Sequence, residues 1–304
     1  MENERRQSFR DGSSNPPRME VHQSWWAMNG VGSGGREWSI EEKFEKIAEA
    51  GFTGIMAHLP TGQDAGLWRR LLDEYGFSLG IHSFPRKPED MTELLREAKQ
   101  FGVLYVNSQV MDSFVIGQAA VELLHGLVEE ARKAQIPYMI ETHRGRVTQD
   151  LHRTVDYVKA IPELRLTIDL SHYIVAGELT AAASRELEMA GELFDVLLQR
   201  TSAIHARVSN GEQVQVDIGP NGEHPMVKPF MKWWERGMSC WLNEAKPGDI
   251  LPFVTELGPP DYAITEATYK REDRTEISDR WQQALVLKRL GEEAWEHAQA
   301  NRGQ

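Results

Sequence analysis

The sequence has few cysteines, no long apolar runs and a deficit of positive charge. Cys240 is the single cysteine among 304 residues, so the chain cannot form an internal disulfide framework, which is typical of a reducing compartment. No run approaches the roughly 20 apolar residues that cross a bilayer, and no early apolar segment resembles an export signal. We therefore expect a cytoplasmic protein with no membrane partner.

The charge balance also bears on the class of partner. There are 34 Lys and Arg residues against 46 Asp and Glu, a net charge of −12. A chain this acidic repels phosphate backbones, which argues against a nucleic-acid partner. The first 18 residues are polar and rich in Ser, Asn, Arg and Pro. We expect a flexible tail over 1–18 and a folded domain over 19–304.

Within the folded part, short β-rich runs alternate with helical patterns. The eight candidate strands are 21–26, 53–59, 78–83, 103–110, 138–143, 165–172, 202–209 and 252–257. Ser39 and Glu42 form a predicted capping box before a helix that Gly51 ends. Eight strand–helix units at this length predict an α/β fold, a single-domain (β/α)8 TIM barrel with a C-terminal helical extension. The glycines of 28–38 lack the G-x-G-x-x-G spacing of a doubly wound nucleotide-binding sheet.

Four successive strands end in a metal-ligating residue. The fifth strand reads YMIETH and places Glu141 after an apolar run, and Asp169, His205 and Glu256 occupy the same place on the next three. In barrels of this type the active site lies at the carboxyl ends of the strands. Desolvated carboxylates need a compensating cation, so we predict one divalent metal ion held by these four residues. Oxygen-rich ligation with one imidazole suits Mn, Co or Mg, and Zn is the further candidate.

Further polar and aromatic residues lie near the same strand ends. Strand periodicity places His143 on the face of Glu141 and Arg207 on the face of His205. A loop could return His172, which lies three residues beyond Asp169. The predicted substrate-binding residues are His172, Arg207, His143, His82, His58 and Trp25. For Trp25 the alternative to stacking on a sugar ring is ordinary core packing.

The set Glu141, Asp169 with His172, His205 and Glu256 resembles the xylose isomerase-like superfamily of TIM barrels. HARV (205–208) and TELGPPDY (255–262) are most similar to its sugar phosphate isomerase/epimerase members. The resemblance implies a sugar isomerase or epimerase in which Glu141 and Glu256 exchange a proton next to a carbonyl and the metal stabilises the enediolate. It also implies that His172 and Arg207 contact the substrate, a sugar or cyclitol, and that the chain forms a homodimer or homotetramer.

Three alternatives remain open at this stage. A lyase, such as an inosose dehydratase or an enzyme that cleaves 3-keto-glycosides, would share the proton abstraction. An endonuclease IV-type nuclease would recruit His58 and His82 as ligands, but its Asp-x-His motif is incomplete here, because Asp217 is followed by Ile218 and Gly219. A sugar-binding barrel without catalysis would not need both Glu141 and Glu256. The long segment 209–228 is either a lid or a contact surface between subunits.

Overall fold

A computed structural model describes residues 9–266 and 275–303 as a closed barrel of parallel strands. The eight barrel strands are β1 (Arg18–Ser24), β2 (Gly54–Ala57), β3 (Ser78–Ser83), β4 (Tyr105–Ser108), β5 (Tyr138–Glu141), β6 (Leu166–Ile168), β7 (Thr201–Ala206) and β8 (Asp249–Thr255). Each strand pairs with its sequence neighbour, and β8 also pairs with β1 from Ile250 opposite Arg18 to Thr255 opposite Gln23. The predicted TIM barrel is confirmed.

Helices surround the barrel. They are α1 (Ile40–Glu49), α2 (Asp64–Tyr75), α3 (Asp90–Phe101), α4 (Gly117–Ala134), α5 (Leu151–Ala160), α6 (Ser171–Ala176), α7 (Ser184–Leu198), α8 (Val227–Glu244) and α9 (Arg280–Ala300). The described chain also contains two 3-10 helices, Trp26–Met28 and Asn301–Gly303, and a small hairpin that pairs Gly32–Ser33 with Arg36–Glu37. The capping box of Ser39 and Glu42 begins α1 as predicted. Within the described ranges, no helix combines the length and apolarity that crossing a membrane requires.

Two apolar layers hold the barrel together. The larger lies between the strands and the helices, and a smaller cluster that includes Met56, Tyr105, Met139 and Val254 fills the barrel interior. Gly80 on β3 makes room for this filling, because a Cβ there would overlap the Tyr105 ring. The interior is therefore packed, as is usual in this fold, and polar residues gather at the carboxyl ends of the strands.

The predicted flexible tail differs from the structure over its described part. Residues 1–8 lie outside the described ranges, but Phe9–Arg10 forms a short strand antiparallel to β8. The Phe9 side chain is buried, with its ring centre 5.1 Å from that of Tyr105, and Arg10 pairs with Asp249 at 2.7 Å. Residues 9 and 10 pack on the barrel because Phe9 adds apolar surface to the interior cluster.

Candidate functional site

The four predicted metal ligands converge at one end of the barrel. Glu141 ends β5, Asp169 follows β6, His205 lies in β7 and Glu256 follows β8. One potential ligand atom from each lies within 4.8 Å of those of the others, and every side chain is buried. The carboxyl ends of parallel neighbouring strands meet at one rim, which explains why residues 115 positions apart come together. We call Glu141, Asp169, His205 and Glu256 the acidic quartet.

The imidazole of His205 lies between two carboxylates of the quartet. Its Nδ1 is 3.2 Å from Oε2 of Glu256 and 3.7 Å from Oε2 of Glu141. Burial disfavours the charged imidazole, but the two carboxylates outweigh it and raise the pKa of His205 to about 10. Burial alone would raise the pKa of Glu141, but the positive charge of His205 holds the pKa of that carboxyl well below its ordinary value. The metal-free quartet thus retains a proton on the imidazole.

Arg207 is the one fixed cation that contacts the quartet among the described residues. The guanidinium NH2 donates to Asp169 Oδ2 at 2.6 Å and to Glu256 Oε2 at 2.8 Å, and the side chain is 1% exposed. Burial works against the charge, but the neighbouring carboxylates keep the pKa of Arg207 above its ordinary value. Its Nε and NH1 have no hydrogen-bond partner. Arg207 therefore combines a structural ion pair with free donors beside the quartet.

Amide and hydroxyl groups donate hydrogen bonds to the carboxylates of Glu141 and Asp169 and hold them in place. Asn107 Nδ2 donates to Glu141 Oε2 at 2.6 Å, and Gln109 Nε2 lies 3.2 and 3.3 Å from the two oxygens of the same carboxylate. Ser171 donates its hydroxyl to Asp169 Oδ1 at 2.5 Å and its backbone N–H at 3.0 Å. None of these three residues was predicted from the sequence. The two-residue spacing of Asn107 and Gln109 at the end of β4 was the available signal.

The donor set of the quartet fits a divalent cation. With the imidazole of His205 neutral, as a metal ligand must be, three carboxylates and the one guanidinium sum to minus two in a buried volume. Nδ1 of His205 has no hydrogen-bond partner and supplies one nitrogen alongside the carboxylate oxygens. Hard divalent ions prefer oxygen-rich ligation of this kind, and it tolerates an imidazole.

A second group of side chains adjoins the quartet. The rings of His143 and His172 lie 3.8 Å apart, and both can approach Glu141. Arg144 NH1 donates to His172 Nδ1 at 3.0 Å, so the proton of a neutral His172 is on Nε2. Burial lowers the pKa of both histidines, that of His172 well below its ordinary value. His172 therefore presents a neutral Nε2–H that has no partner, 3.6 Å from Asp169.

An open cavity of about 250 Å³ reaches the quartet at Glu256. Glu256 and Arg207 line it, as do three predicted substrate-binding residues, His58, His82 and His143. Burial lowers the pKa of His82 to about 4, so this ring is neutral near pH 7, and neither of its nitrogens has a partner. Aromatic side chains from three separate segments complete the wall: Trp26, Phe84 and Tyr262. Their mixture of apolar faces and polar groups resembles ordinary small-molecule sites.

Trp25 is not at the predicted place. Its ring packs on Trp68, with centroids 4.6 Å apart, and on Phe44 at 5.6 Å, whereas its neighbour Trp26 lines the cavity. β1 ends at Ser24, and the chain turns into the 3-10 helix Trp26–Met28. The predicted strand 21–26 therefore extends two residues too far, and the turn beyond Ser24 directs the Trp25 ring to Trp68 and Phe44.

The segment 209–228 is tied to the loop after β8. The side-chain amide of Gln215 donates to the carbonyl of Gly258 at 3.1 Å and accepts from its N–H at 2.7 Å. Asp217 is exposed and accepts only a local bond from Gly219 N–H among the hydrogen bonds of the described chain. The possible metal-holding groups among residues 9–266 and 275–303 include neither Asp217, His58 nor His82. These positions offer no support for the three-metal arrangement of the nuclease alternative.

Comparison with known proteins agrees with this geometry. The sequence model of the family described as xylose isomerase-like TIM barrel matches residues 44–219, more than half of the chain. No curated protein matches the sequence. Among solved structures, a xylose isomerase-like TIM barrel protein from Mycobacterium smegmatis in complex with magnesium is 12% identical, with a TM-score of 0.56 over 92% of this chain and 98% of the other.

Two further solved structures share the fold. A probable 3-DHS dehydratase from Bacillus anthracis is 12% identical, with a TM-score of 0.54 over 90% of this chain and 98% of the other. A sugar phosphate isomerase/epimerase from Parabacteroides distasonis is 10% identical, with a TM-score of 0.53 over 89% and 97%. At these identities the similarity establishes the barrel and does not assign a reaction.

Proposed function

Because the chain belongs to the xylose isomerase-like TIM barrel family, we propose that it is a divalent-metal-dependent sugar isomerase or epimerase. The substrate would be a ketose or a related carbohydrate, and the reaction would begin with removal of a proton from a carbon next to a carbonyl. The observation that carries this proposal is the buried acidic quartet, one member of which, Glu256, lines an open cavity.

Glu141, Asp169, His205 and Glu256 would hold the cation. Their three negative charges exceed the single positive charge of Arg207 by two, which is the charge that one divalent ion supplies. When bound, such an ion polarises a substrate carbonyl as a Lewis acid. The magnesium in the structure from Mycobacterium smegmatis is in keeping with a divalent ion in this family, and Mn, Co and Zn are the other candidates.

The two glutamates differ in how closely they approach the cavity where the substrate would bind. Glu256 lines the cavity, so its carboxylate can reach a substrate C–H and act as the base. Glu141 lies deeper, held by Asn107 and Gln109, and is the candidate for the second proton-exchanging group. A positioned carboxylate of this kind contributes roughly 10²–10⁴-fold to the rate.

Neighbouring donors would orient the substrate. The unpartnered Nε and NH1 of Arg207 and the Nε2–H of His172 can donate to substrate oxygens, where they would oppose the negative charge that develops on proton loss. His58, His82 and His143 at the cavity wall can bind further hydroxyls, since burial keeps His82 and His143 neutral near pH 7. Trp26, Phe84 and Tyr262 provide the apolar faces that pack against sugar rings.

A lyase is the second candidate. It would use Glu256 for the same proton removal, and the unpartnered nitrogens of His82, 3.9 Å from Glu256, could then contact a leaving oxygen. Mass spectrometry of the products separates the two reactions: an isomer keeps the substrate mass, whereas a dehydratase product is lighter by one water.

Solvent exchange tests the proton abstraction that both candidates share. Protein supplied with Mn²⁺ is incubated in D2O with ketoses, inososes and 3-keto-glycosides, and deuterium at the carbon next to the carbonyl is followed by NMR. We expect exchange with at least one substrate, its loss in Glu256→Gln at saturating Mn²⁺, and no change in Glu74→Gln, an exposed position on α2. Undiminished exchange in Glu256→Gln would show that Glu256 is not the base.

A further inference from the structure

The rim of the cavity is positive although the protein is acidic. The net charge of the chain is −12, yet the charged groups that line the cavity are two guanidinium groups, Arg146 and Arg207, and one carboxylate, Glu256. Arg207 is committed to the carboxylates of Asp169 and Glu256. Arg146 is therefore the cation at this cavity whose charge the described residues leave uncompensated.

Arg146 makes contacts that hold it in place without neutralising it. Its NH1 donates to the carbonyl of Met111 at 3.1 Å, and its guanidinium lies 5.4 Å from the centre of the Phe84 ring. It forms no ion pair with a carboxylate in the described ranges. The exposed Arg70, in contrast, pairs with Glu74 at 3.1 Å. A half-buried, unpaired guanidinium beside an open cavity gains most when an anion binds to it.

Arg144 is a second uncompensated cation near the cavity, next to the lining residues His143 and Tyr262. It donates to His172 Nδ1 and lies 5.0 Å from the centre of the Tyr262 ring, again without a carboxylate partner in the described chain. Arg207 lies at the same distance from that ring. Two guanidinium groups therefore lie against the Tyr262 ring and a third lies near the Phe84 ring, and both rings line the cavity.

Buried polar atoms without hydrogen-bond partners line the same cavity. Nε and NH1 of Arg207, 1% exposed, and both nitrogens of His82, 8% exposed, have no hydrogen-bond partner although both residues line the cavity. Buried polar atoms normally have hydrogen-bond partners, so these unpartnered donors and the one imidazole acceptor indicate groups that a bound molecule would supply.

We propose that the substrate is an acidic carbohydrate whose carboxylate or phosphate binds Arg146, with Arg144 strengthening the positive field. This rests on the proposed function, because a divalent ion together with Arg207 would balance the three carboxylates of the acidic quartet. The charges of Arg144 and Arg146 then remain for the substrate. The polyol end of the molecule lies over Glu256 and meets the free donors of Arg207 and His82.

Matched pairs of acidic and neutral sugars test the inference. The pairs are D-glucuronate with D-glucose, and D-fructose 6-phosphate with D-fructose, and binding to Mn²⁺-supplied protein is measured by isothermal titration calorimetry. Arg146→Gln is compared with Arg70→Gln, which also removes one positive charge but on the exposed surface of α2. Arg146→Lys keeps the charge and loses the planar fork, and circular dichroism checks the fold of each variant.

We expect one acidic probe to bind about tenfold or more tightly than its neutral partner, as one charge-assisted contact predicts. The preference should disappear in Arg146→Gln, persist in Arg70→Gln and survive in part in Arg146→Lys. The pair that shows it identifies carboxylate or phosphate as the anion. Equal binding of acidic and neutral sugars, or a preference that Arg146→Gln retains, overturns the inference.

Elemental analysis of the same samples separates this inference from the proposed function. Bound metal without a preference for acidic probes contradicts the acidic substrate alone. A preference that depends on Arg146 in protein that takes up no metal contradicts the metal-dependent reaction alone.

Discussion

Replacing Arg207 by leucine removes the one fixed cation that contacts the acidic quartet in the described structure. The substitution breaks two charge-assisted hydrogen bonds, at 2.6 Å to Asp169 and 2.8 Å to Glu256, at a side chain that is 1% exposed. It leaves the buried carboxylates of Asp169 and Glu256 without this cation, and only Glu256 keeps a second one, His205, at 3.2 Å. Breaking a buried ion pair on one side costs about 3–5 kcal/mol.

The cost should depend on metal. In metal-free protein we expect Arg207→Leu to lower the free energy of unfolding by about 3–5 kcal/mol, which corresponds to roughly 6–10 °C in Tm for a chain of this size. A bound divalent ion neutralises the same carboxylates, so added Mn²⁺ should stabilise the variant more than the wild type. Turnover should nevertheless fall, because the donors at Nε and NH1 are lost.

Thermal unfolding with and without chelator measures both effects. Arg70→Leu is the matched control, because it removes an exposed i,i+4 ion pair with Glu74 worth only about 0.3–0.5 kcal/mol. If metal-free Arg207→Leu unfolds at the same temperature as Arg70→Leu, the quartet does not depend on Arg207. If Mn²⁺ stabilises the variant no more than the wild type, metal and Arg207 do not compensate the same charges.

Two further substitutions test other parts of the account. His172→Ala should keep the metal but lose about 10²-fold in solvent-exchange rate, the scale of one oriented donor; loss of metal in elemental analysis would instead make His172 a ligand. The second substitution is at Glu20, at the other end of the barrel. Burial raises the pKa of Glu20, but hydrogen bonds from His22, Ser78 and Arg18 outweigh it and lower the pKa to about 2. A depressed pKa stabilises the fold above the unfolded value near 4.5, and this stabilisation is lost as pH falls toward 2. Glu20→Gln should therefore cost up to about 3 kcal/mol at pH 7 and about 1 kcal/mol less at pH 4 in urea unfolding; an equal cost at both pH values would refute the assignment.

The barrel could be predicted because its signals are local and repeated. Each predicted strand overlaps one observed barrel strand, since apolar runs between helix caps are visible along the chain. The acidic quartet was predictable for a related reason. Parallel strands of a closed barrel bring their carboxyl ends to one rim, so the places of Glu141, Asp169, His205 and Glu256 in four successive strands predict their convergence without knowledge of distances.

The remaining features of the site depend on loops and on contacts between distant residues. The chain turns after Ser24 and places Trp26 rather than Trp25 at the cavity, and the sequence pattern does not show where this turn begins. The places of Arg144 and Arg146 follow from packing on Tyr262 and Phe84, whose positions depend on separate loops. Pairing of Phe9–Arg10 with β8 likewise joins segments about 240 residues apart, and composition alone had indicated a flexible tail.

Metal content per chain tests the central claim most directly. The protein is purified without added metal or chelator, analysed for its elements, and analysed again after incubation with Mn²⁺, beside Glu256→Gln and the surface control Glu74→Gln. We predict about one Mn, Co, Mg or Zn per chain in the wild type and the control, and weaker retention in Glu256→Gln. A wild type that contains no metal and takes up none on incubation would contradict the metal-dependent reaction proposed for this site.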